Sequence, residues 1–496
     1  MGSLAHNSNR FPVLEDTRPD DMSLPAFMVS TTRGFLPRMD PIVDLPAEFA
    51  ALESVLQRMP IKTASGEPGL LAHGGLGDVV SKELPDLTEF VDTYKANLPL
   101  VNALYRDYSF LASAYLLEPC HQRFVRGEPY GLGRNVLPAN IARPIARCAA
   151  ICQFKPFMEY AGSYALFNYR LVDPAAGLDY SNLRLIRAFE HGLDPTSSEA
   201  GFVLVHIDMV KNSGPLIAGT MACLDACTAA AAAAASDATA ALEHRRSLNA
   251  GLSTTLSALQ RINAVMETMW AKSKPRSYTS FRTFIFGITS QSMFPEGVVY
   301  EGVGGEDGEK PLSFRGESGA NDSMVPLVDN LLRIPMPHTP LTEILEDFRQ
   351  YRPSNHRDFL AWVRETSGGL GLKGWALATR GEERTMVEEE EEVRESRRLW
   401  LQVLDQVRDF RWRHWCFARE YILKMTSHPT ATGGSPIVTW LPNQLQAVLE
   451  EMVSLYGSFG DLGEECRDIM DLVHRQKDTL AKEVKKYCEE RGVPAA

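Results

Sequence analysis

The apolar residues of this chain recur every three or four positions, and strand-like alternation is nearly absent. That spacing gives an α-helix one face to bury, whereas a half-buried strand would need an apolar residue at every second position. One such pattern begins near Phe49 and ends at Pro60. Comparable patterns predict helices over 88–117, 242–270, 396–426 and 443–491. The sequence therefore predicts an all-α protein.

The length of the chain and the placement of its prolines predict how the helices are grouped. A chain of 496 residues is long enough for two or three domains. The polar first 40 residues predict a loosely ordered arm at 1–40, and the prolines of 138–156 indicate a nearby domain boundary. We therefore expect a small helical domain at 41–190 and a larger helical domain at 191–496.

Two segments of biased composition lie in the second half of the chain. An alanine tract covers 229–241, and an acidic run covers 388–392. Because alanine favours the helix, the tract is predicted to be a solvent-facing helix end or an insertion. The acidic run is predicted to be a solvated loop or the first turn of a helix, where carboxylates interact favourably with the helix dipole.

Charge and cysteine usage exclude several classes of protein. Lys and Arg total 51 against 63 Asp and Glu, a net charge of −12, which argues against a nucleic-acid binder or a protein docked on anionic membranes. No apolar run approaches the roughly 20 residues of a membrane span, and the charged first 21 residues predict no secretory signal. The eight cysteines form no CxxC pair, so we expect reduced thiols and a cytoplasmic location.

The helix predicted at 396–426 holds a histidine among apolar residues. His414 lies on the face that Leu404 and Phe417 share. A histidine in this setting is either a core residue with satisfied hydrogen bonds or an axial ligand of a metal or haem iron. Arg411 lies one turn earlier and is well placed to bind a haem propionate.

A second histidine lies in the apolar segment 201–210. If the segment is helical, Phe202, His206 and Met209 share one face. His206 is then either a core histidine bonded to the backbone or a residue of a distal pocket that faces bound oxygen or substrate. The pattern alone leaves both readings open.

Arg282 lies in the aromatic segment 278–287. A buried guanidinium must be paired, and an internal carboxylate and a ligand carboxylate are equally open as its partner. The loops at 315–323 and 431–435 are rich in small residues, which let backbone N–H groups approach a ligand closely. Loops of this composition are also common as simple turns.

Taken in order, these stretches resemble the indoleamine 2,3-dioxygenase family, in its fungal type. The resemblance spans about residues 30–455, most of the chain. The matching segments are 137–144, 160–168, 201–210, 281–287, 297–302, 315–329, 351–360, 411–423 and 430–436. An ordered series of this length is more specific than any single motif.

The resemblance implies an all-helical, two-domain protein that binds haem b, with a small N-terminal domain over a larger C-terminal haem domain. Enzymes of the family insert both atoms of O2 across the indole C2–C3 bond of L-tryptophan and give N-formylkynurenine. The implied setting is cytoplasmic tryptophan catabolism through the kynurenine pathway toward NAD synthesis. The implied partners are L-tryptophan, O2 and an unidentified reductant that keeps the iron ferrous. A monomer without nucleic-acid or membrane partners is expected.

Roles carry over by position in the sequence. On the haem side they fall on His414 as proximal iron ligand, Arg411 with Asp329 at the propionates, and Ser318, Gly319 and Ala320 near the distal face. On the substrate side they fall on Arg282 for the carboxylate, Tyr160, Phe202, Val203 and Tyr278 for the pocket wall, and Thr432 and Gly433 for the closing loop. Arg282 and His206 are the residues expected to act on the reaction, His206 by tuning oxygen binding.

The chain departs from the family pattern at three positions. His206 stands where mammalian members carry serine, and Ala431 stands where the family often has glycine. Tyr278 aligns with a pocket phenylalanine only if one residue is gapped, and Ser277 aligns otherwise. Because fold does not fix function, a haem-binding paralogue with little turnover, acting as a sensor or haem reservoir, is the alternative interpretation.

Overall fold

A computed structural model describes residues 10–192, 194–233, 238–304, 310–336, 341–377, 387–426 and 430–492. Across these residues the protein is built almost entirely from helices, which confirms the predicted all-α class. The strands are short and form two separate pairs, one parallel and one antiparallel.

The helices are α1 (Ala50–Arg58), α2 (Leu70–His73), α3 (Leu76–Glu83), α4 (Thr88–Thr93), α5 (Leu98–Val125), α6 (Ala139–Cys152), α7 (Ser198–Val210), α8 (Ser213–Ala232), α9 (Ala238–Glu267), α10 (Met269–Lys272), α11 (Pro275–Arg282), α12 (Met324–Leu332), α13 (Leu341–Arg349), α14 (Ser354–Gly369), α15 (Leu372–Leu377), α16 (Val387–Phe417), α17 (Ile437–Phe459) and α18 (Glu464–Arg491). The strands are β1 (Val136–Leu137), β2 (Tyr169–Leu171), β3 (Leu183–Leu185) and β4 (Val299–Tyr300). Short 3-10 turns cover Ala47–Phe49, Pro174–Ala176, Tyr180–Asn182, Thr283–Ile285 and Gly319–Asn321, and π-helical turns cover Tyr160–Tyr164 and Ala418–Leu423.

Helix α9 is central to the packing that positions the site. It packs against α7, α8 and α16, and α17 packs in turn against α16 and α18. Helices α7 and α16, which carry His206 and His414, therefore share one supporting neighbour. Strand β1 pairs with β4 in parallel, Val136 opposite Val299, and this pair links the region after α5 to the segment before α12.

The predicted helix of 396–426 is confirmed, although its bounds differ. Helix α16 starts earlier, with the acidic run in its first turns, and a π-helical turn follows directly at Ala418–Leu423. The acidic run is thus the start of a helix, and Glu392 accepts hydrogen bonds from Arg246 at 3.0 Å and from Asn249 at 2.8 Å. The helical segment predicted at 443–491 is interrupted between α17 and α18, at Gly460 and Gly463, both of positive φ.

The predicted loosely ordered arm needs a correction. Residues 1–9 lie outside the described residues, but 10–40 are packed onto the helices. Phe27 and Phe35 are at most 3 % exposed. The backbone N–H of Val29 donates to Asn355 Oδ1 at 2.8 Å, and that of Phe35 donates to Ser213 Oγ at 2.9 Å. The scattered apolar residues of the arm fill gaps between helices, which a search for periodicity cannot detect.

The expectation that no segment is apolar enough to span a membrane also needs a correction. The stretch Ser198–Ala232, which joins α7 and α8, reaches a mean hydropathy of 1.4 in one window and is long enough to cross a membrane. Half of that window is buried inside the protein. Core helices pass the same test, because a helix surrounded by protein is apolar on all sides.

The two-domain division stays a prediction. The largest cluster of buried apolar side chains includes Leu104 of the proposed small domain and Trp400 of the proposed large one. All eight cysteines are free thiols. The alanine tract is described only in part: Ala229–Ala232 end α8, with partly exposed side chains, as predicted for a helix end.

Candidate functional site

His414 lies near the end of α16, one turn before the π-helical turn at Ala418–Leu423. Such turns replace the usual i→i+4 bonding and occur often at functional sites. Burial, with further contributions from the charges of His206 and Arg411, lowers the pKa of His414 to about 4. The imidazole is therefore neutral at physiological pH, which is the form that binds metal.

Arg411, one turn before His414, is held by Asp329 of α12. Arg411 Nη2 donates to Asp329 Oδ2 at 2.6 Å, and the two side chains are 11 % and 15 % exposed. Two further atoms of the pair, Arg411 Nη1 and Asp329 Oδ1, are buried without a hydrogen-bond partner. Buried polar atoms of this kind normally have a partner, so the pair has capacity left for a bound group.

A large cavity of about 1360 Å³ lies in front of His414 and Arg411. Gly319, Ala320 and Asp329 contribute to its wall, so the predicted haem-side residues other than Ser318 line one space. The wall carries six arginines, one of which is Arg411, and five acidic residues. Further arginines at the wall are Arg333, Arg349, Arg352, Arg357 and Arg364.

His206 lies opposite, on α7. Between residues 201 and 210 only Phe202 and His206 are partly exposed, and these two positions, one turn apart, lie on the same side of α7. His206 Nδ1 lies 2.8 Å from the Phe202 carbonyl, which leaves Nε2 as the free ring nitrogen. A Cβ on Gly319 would lie 3.9 Å from that Nε2, so His206 faces the loop that lines the His414 cavity.

Arg282 ends α11 and is completely buried. Its Nη2 donates to the Thr430 carbonyl at 3.0 Å, and its guanidinium carbon lies 4.6 Å from the centre of the Phe286 ring. Its Nε and Nη1 are buried with no hydrogen-bond partner. Among the described residues, no internal carboxylate is bonded to the Arg282 guanidinium, which favours the second interpretation, a ligand carboxylate.

Aromatic rings form a wall beside Arg282 and His206. The Phe202 ring centre lies 4.9 Å from that of His206 and 5.3 Å from that of Tyr278, and Tyr160 packs edge-on against His206 at 5.7 Å. Tyr278, and not Ser277, thus joins the wall. Val203 is fully buried in the main core, and its role as a wall residue stays a prediction.

Three segments are pinned together next to this wall. A Cβ on Gly287 would lie 2.0 Å from the Gly316 nitrogen, so only glycine lets the two backbones touch. The Thr432 hydroxyl donates to the Glu317 carbonyl at 2.7 Å, and the Thr432 carbonyl accepts from Gly287 N–H at 2.9 Å. The loop predicted to close on substrate is therefore hydrogen-bonded to the segments of Gly287 and Glu317. In the same loop, the Gly433 carbonyl accepts from Arg315 Nη1 at 3.0 Å.

Glu317 is a residue that the sequence reasoning did not single out. It is 3 % exposed, and burial raises the pKa of its carboxyl group to about 8. It lies in the loop 315–323, whose small residues drew attention while its charge did not. A glutamate in a glycine-rich turn is ordinarily solvent-exposed, so the sequence offers no signal of this burial.

The site can be tested for its fit to haem. A neutral histidine can supply the axial ligand, and the unpartnered nitrogen of Arg411 and the neighbouring arginines match the two propionates. The cavity exceeds the 300–1,000 Å³ of common small-ligand pockets. No group of three or more metal-binding side chains is found among the described residues. The fold and the site thus define a helical protein with one histidine facing a pocket suited to a large, dianionic cofactor.

Comparison with known proteins gives the family. The family model described as indoleamine 2,3-dioxygenase matches residues 23–452. An indoleamine 2,3-dioxygenase of Aspergillus nanangensis is 26 % identical over 73 % of this chain and 79 % of its own length. An indoleamine 2,3-dioxygenase of Saccharomyces cerevisiae is 25 % identical over 68 % of this chain and 69 % of its own length. A 6-hydroxytryptophan 2,3-dioxygenase of Fusarium equiseti is 25 % identical over 68 % of this chain and 73 % of its own length. The chain belongs to the indoleamine 2,3-dioxygenase family.

Coverage differs among the mammalian relatives. A rat indoleamine 2,3-dioxygenase 1 is 26 % identical, and the match spans 46 % of this chain and 51 % of that protein. A mouse indoleamine 2,3-dioxygenase 1 is 25 % identical, and the match spans 65 % of this chain and 70 % of that protein, which is close to the coverage of the yeast relative.

Proposed function

We propose that this protein is a haem-dependent dioxygenase that cleaves the indole C2–C3 bond of L-tryptophan with O2 to give N-formylkynurenine. The observation that carries the proposal is Arg282, a wholly buried arginine with two unpartnered nitrogens beside an aromatic wall. Such a group needs an anion, and its planar fork matches a carboxylate. An aromatic amino acid supplies both the carboxylate and the ring.

Three residues support the haem-binding part of the proposal. His414 would hold the iron, and Arg411, aligned by Asp329, would bind a propionate. When bound, haem supplies the one-electron and O2 chemistry that side chains cannot provide. The haem itself stays part of the proposal, as do the reductant, the monomeric state, the cytoplasmic location and the link to NAD synthesis through the kynurenine pathway.

The residues on the opposite side orient the substrate and exclude water. The rings of Tyr160, Phe202 and Tyr278 would hold the indole, and Arg282 would fix its carboxylate. Because indole is electron-rich at C3, no strong base is required, and orientation in a dry pocket supplies most of the effect. Because the Phe202 carbonyl accepts from His206 Nδ1–H, Nε2 of the neutral ring is an acceptor, and it would accept a hydrogen bond from the substrate on the same side without an obligatory proton transfer.

The segment that begins at Thr430 lies against Arg282. The Thr430 carbonyl is bonded to the guanidinium, and Thr432 is bonded to the neighbouring Glu317 carbonyl. A substrate carboxylate would replace the contact at Thr430 or add to it at Nε and Nη1. These contacts support a role for the predicted closing loop beside the proposed carboxylate site.

The test is a steady-state assay of the purified, haem-loaded protein with L-tryptophan under aerobic, reducing conditions. We expect tryptophan consumption and the absorbance of N-formylkynurenine. Because one relative is named for 6-hydroxytryptophan, that compound should be assayed in parallel. A protein that binds haem and turns over neither compound would contradict the proposal and favour the sensor or haem-reservoir alternative.

A further inference from the structure

The Glu317 carboxylate is a buried acid without a partner. The residue is 3 % exposed, and no described side chain donates a hydrogen bond to its carboxylate or forms an ion pair with it. Other buried acids differ: Glu159 accepts from the backbone N–H groups of Ala161 and Gly162, and Glu199 accepts from those of Phe189 and Glu190. An unpaired buried carboxylate is costly, so its retention calls for a ligand.

The backbone of Glu317 lies against the segments that carry the proposed substrate site. Its carbonyl accepts from the Thr432 hydroxyl at 2.7 Å, and the preceding Gly316 touches Gly287, five residues after Arg282. After burial, the Glu317 charge is among the causes that raise the pKa values of Tyr160, Tyr164 and Tyr278. The Arg282 guanidinium acts on the Tyr278 hydroxyl in the opposite direction and lowers its pKa.

These two charges are not paired with each other. Arg282 Nη2 donates to the Thr430 carbonyl, and its Nε and Nη1 have no hydrogen-bond partner among the described residues. The glycine contact between Gly287 and Gly316 holds the segments of Arg282 and Glu317 at a fixed separation. Burial favours the neutral form of the unliganded Glu317 carboxyl, and an ammonium group placed beside it would stabilise the ionised form. A buried arginine and a buried acid on touching segments, not paired with each other, are suited to a zwitterion placed between them.

We propose that Glu317 forms the amine subsite of the pocket and binds the α-ammonium group of the amino-acid substrate. Arg282 and Glu317 then select a zwitterionic α-amino acid over an indole that lacks either charge. This inference rests on the proposed function, because it assigns the second half of the substrate's backbone. A primary ammonium offers three donors, and the free Glu317 carboxylate offers acceptors only.

The experiment compares three ligands on the haem-loaded wild type and Glu317→Gln. L-Tryptophan carries both charges, tryptamine lacks the carboxylate, and indole-3-propionate lacks the amine. Dissociation constants come from ligand-induced changes in the haem absorption spectrum, so the readout does not depend on turnover. Glu317→Gln should weaken L-tryptophan and tryptamine by about 10- to 100-fold and change indole-3-propionate by less than about threefold.

Two further variants separate recognition from damage to the fold. Glu317→Asp keeps the charge and should retain part of the preference for amine-bearing ligands. Glu199→Gln removes another buried acid whose partners are backbone N–H groups outside this wall, and it should leave the amine dependence unchanged even if it lowers Tm. If Glu317→Gln cannot be purified folded, the tryptamine-to-indole-3-propionate ratio of Glu317→Asp decides the question.

Equal weakening of all three ligands by substitution at Glu317, or no change in any, would overturn the amine subsite while leaving the proposed function intact. A wild type that neither binds nor turns over L-tryptophan would overturn both. Selective loss of the amine-bearing ligands supports the subsite.

Discussion

Two buried arginines of the candidate site stand in contrast. Arg411 donates to Asp329 at 2.6 Å, whereas the wholly buried Arg282 donates to the Thr430 backbone carbonyl. Burial raises the pKa of Asp329, and the charge of Arg411 opposes that effect. Within the described part of the chain, no carboxylate is bonded to Arg282.

This difference separates two uses of a buried charge. A paired arginine is part of the folded framework, so it can orient a cofactor that stays in place. An unpaired one leaves binding capacity for a group that comes and goes, such as a substrate. The contrast predicts that changes on the Arg411 side affect stability and haem, and that changes on the Arg282 side affect substrate.

The largest expected effect is at His414, because it is the histidine that lines the cavity beside Arg411. His414→Ala should purify nearly free of haem, since the proposed axial ligand is lost. Haem content per protein and the Soret spectrum measure this. An unchanged haem content and spectrum would show that another group binds the iron.

Asp329→Asn removes the carboxylate that pairs with Arg411, so that Arg411, like Arg282, becomes a buried arginine without a bonded acid. We expect a loss of about 3 kcal/mol in the free energy of unfolding, the lower end for a broken buried pair, because the side chains keep 11 % and 15 % exposure. Urea unfolding and haem retention measure it. Stability equal to the wild type would mean that Asp329 contributes little beyond its volume.

Arg282→Gln tests the proposed role of the unpaired arginine in binding the substrate carboxylate. Because no acid is left unpaired by this change, the loss of stability should be smaller than for Asp329→Asn, and haem content should be unchanged. The kcat/KM for L-tryptophan should fall by about 10- to 150-fold with the loss of a charge-assisted hydrogen bond, whereas tryptamine should be unaffected. A comparable loss for both substrates would assign Arg282 a structural role.

The smallest effect is expected at His206, which faces the cavity with one free nitrogen, Nε2. His206→Ser should keep measurable turnover, because the indole needs no strong base, while the spectrum of the CO-bound ferrous protein shifts because the imidazole dipole beside the ligand is lost. Complete loss of turnover with haem and fold intact would show an essential role. An unchanged CO spectrum would instead favour a core histidine that points away from the iron.

The helices were predictable because their signal is local. Apolar spacing alone located α16 and the helical character of most of the chain, since each helix must bury one face. The packed N-terminal segment was missed because its apolar residues follow no period. Phe27 and Phe35 fill gaps between helices that exist only after the helices have assembled.

Some features of the candidate site could likewise be predicted from the sequence, and others depend on the tertiary structure. The sequence itself determined the helical class, the position of His414 on an apolar face next to Arg411, and the family resemblance that supplied the remaining candidates. Only the tertiary structure decided which charges are paired: Asp329 bonds Arg411 across 82 residues, while Arg282 and Glu317, both buried, are not bonded to each other. Pairing between distant segments depends on how the helices pack. A linear pattern records the chemistry of each side chain but not its neighbours.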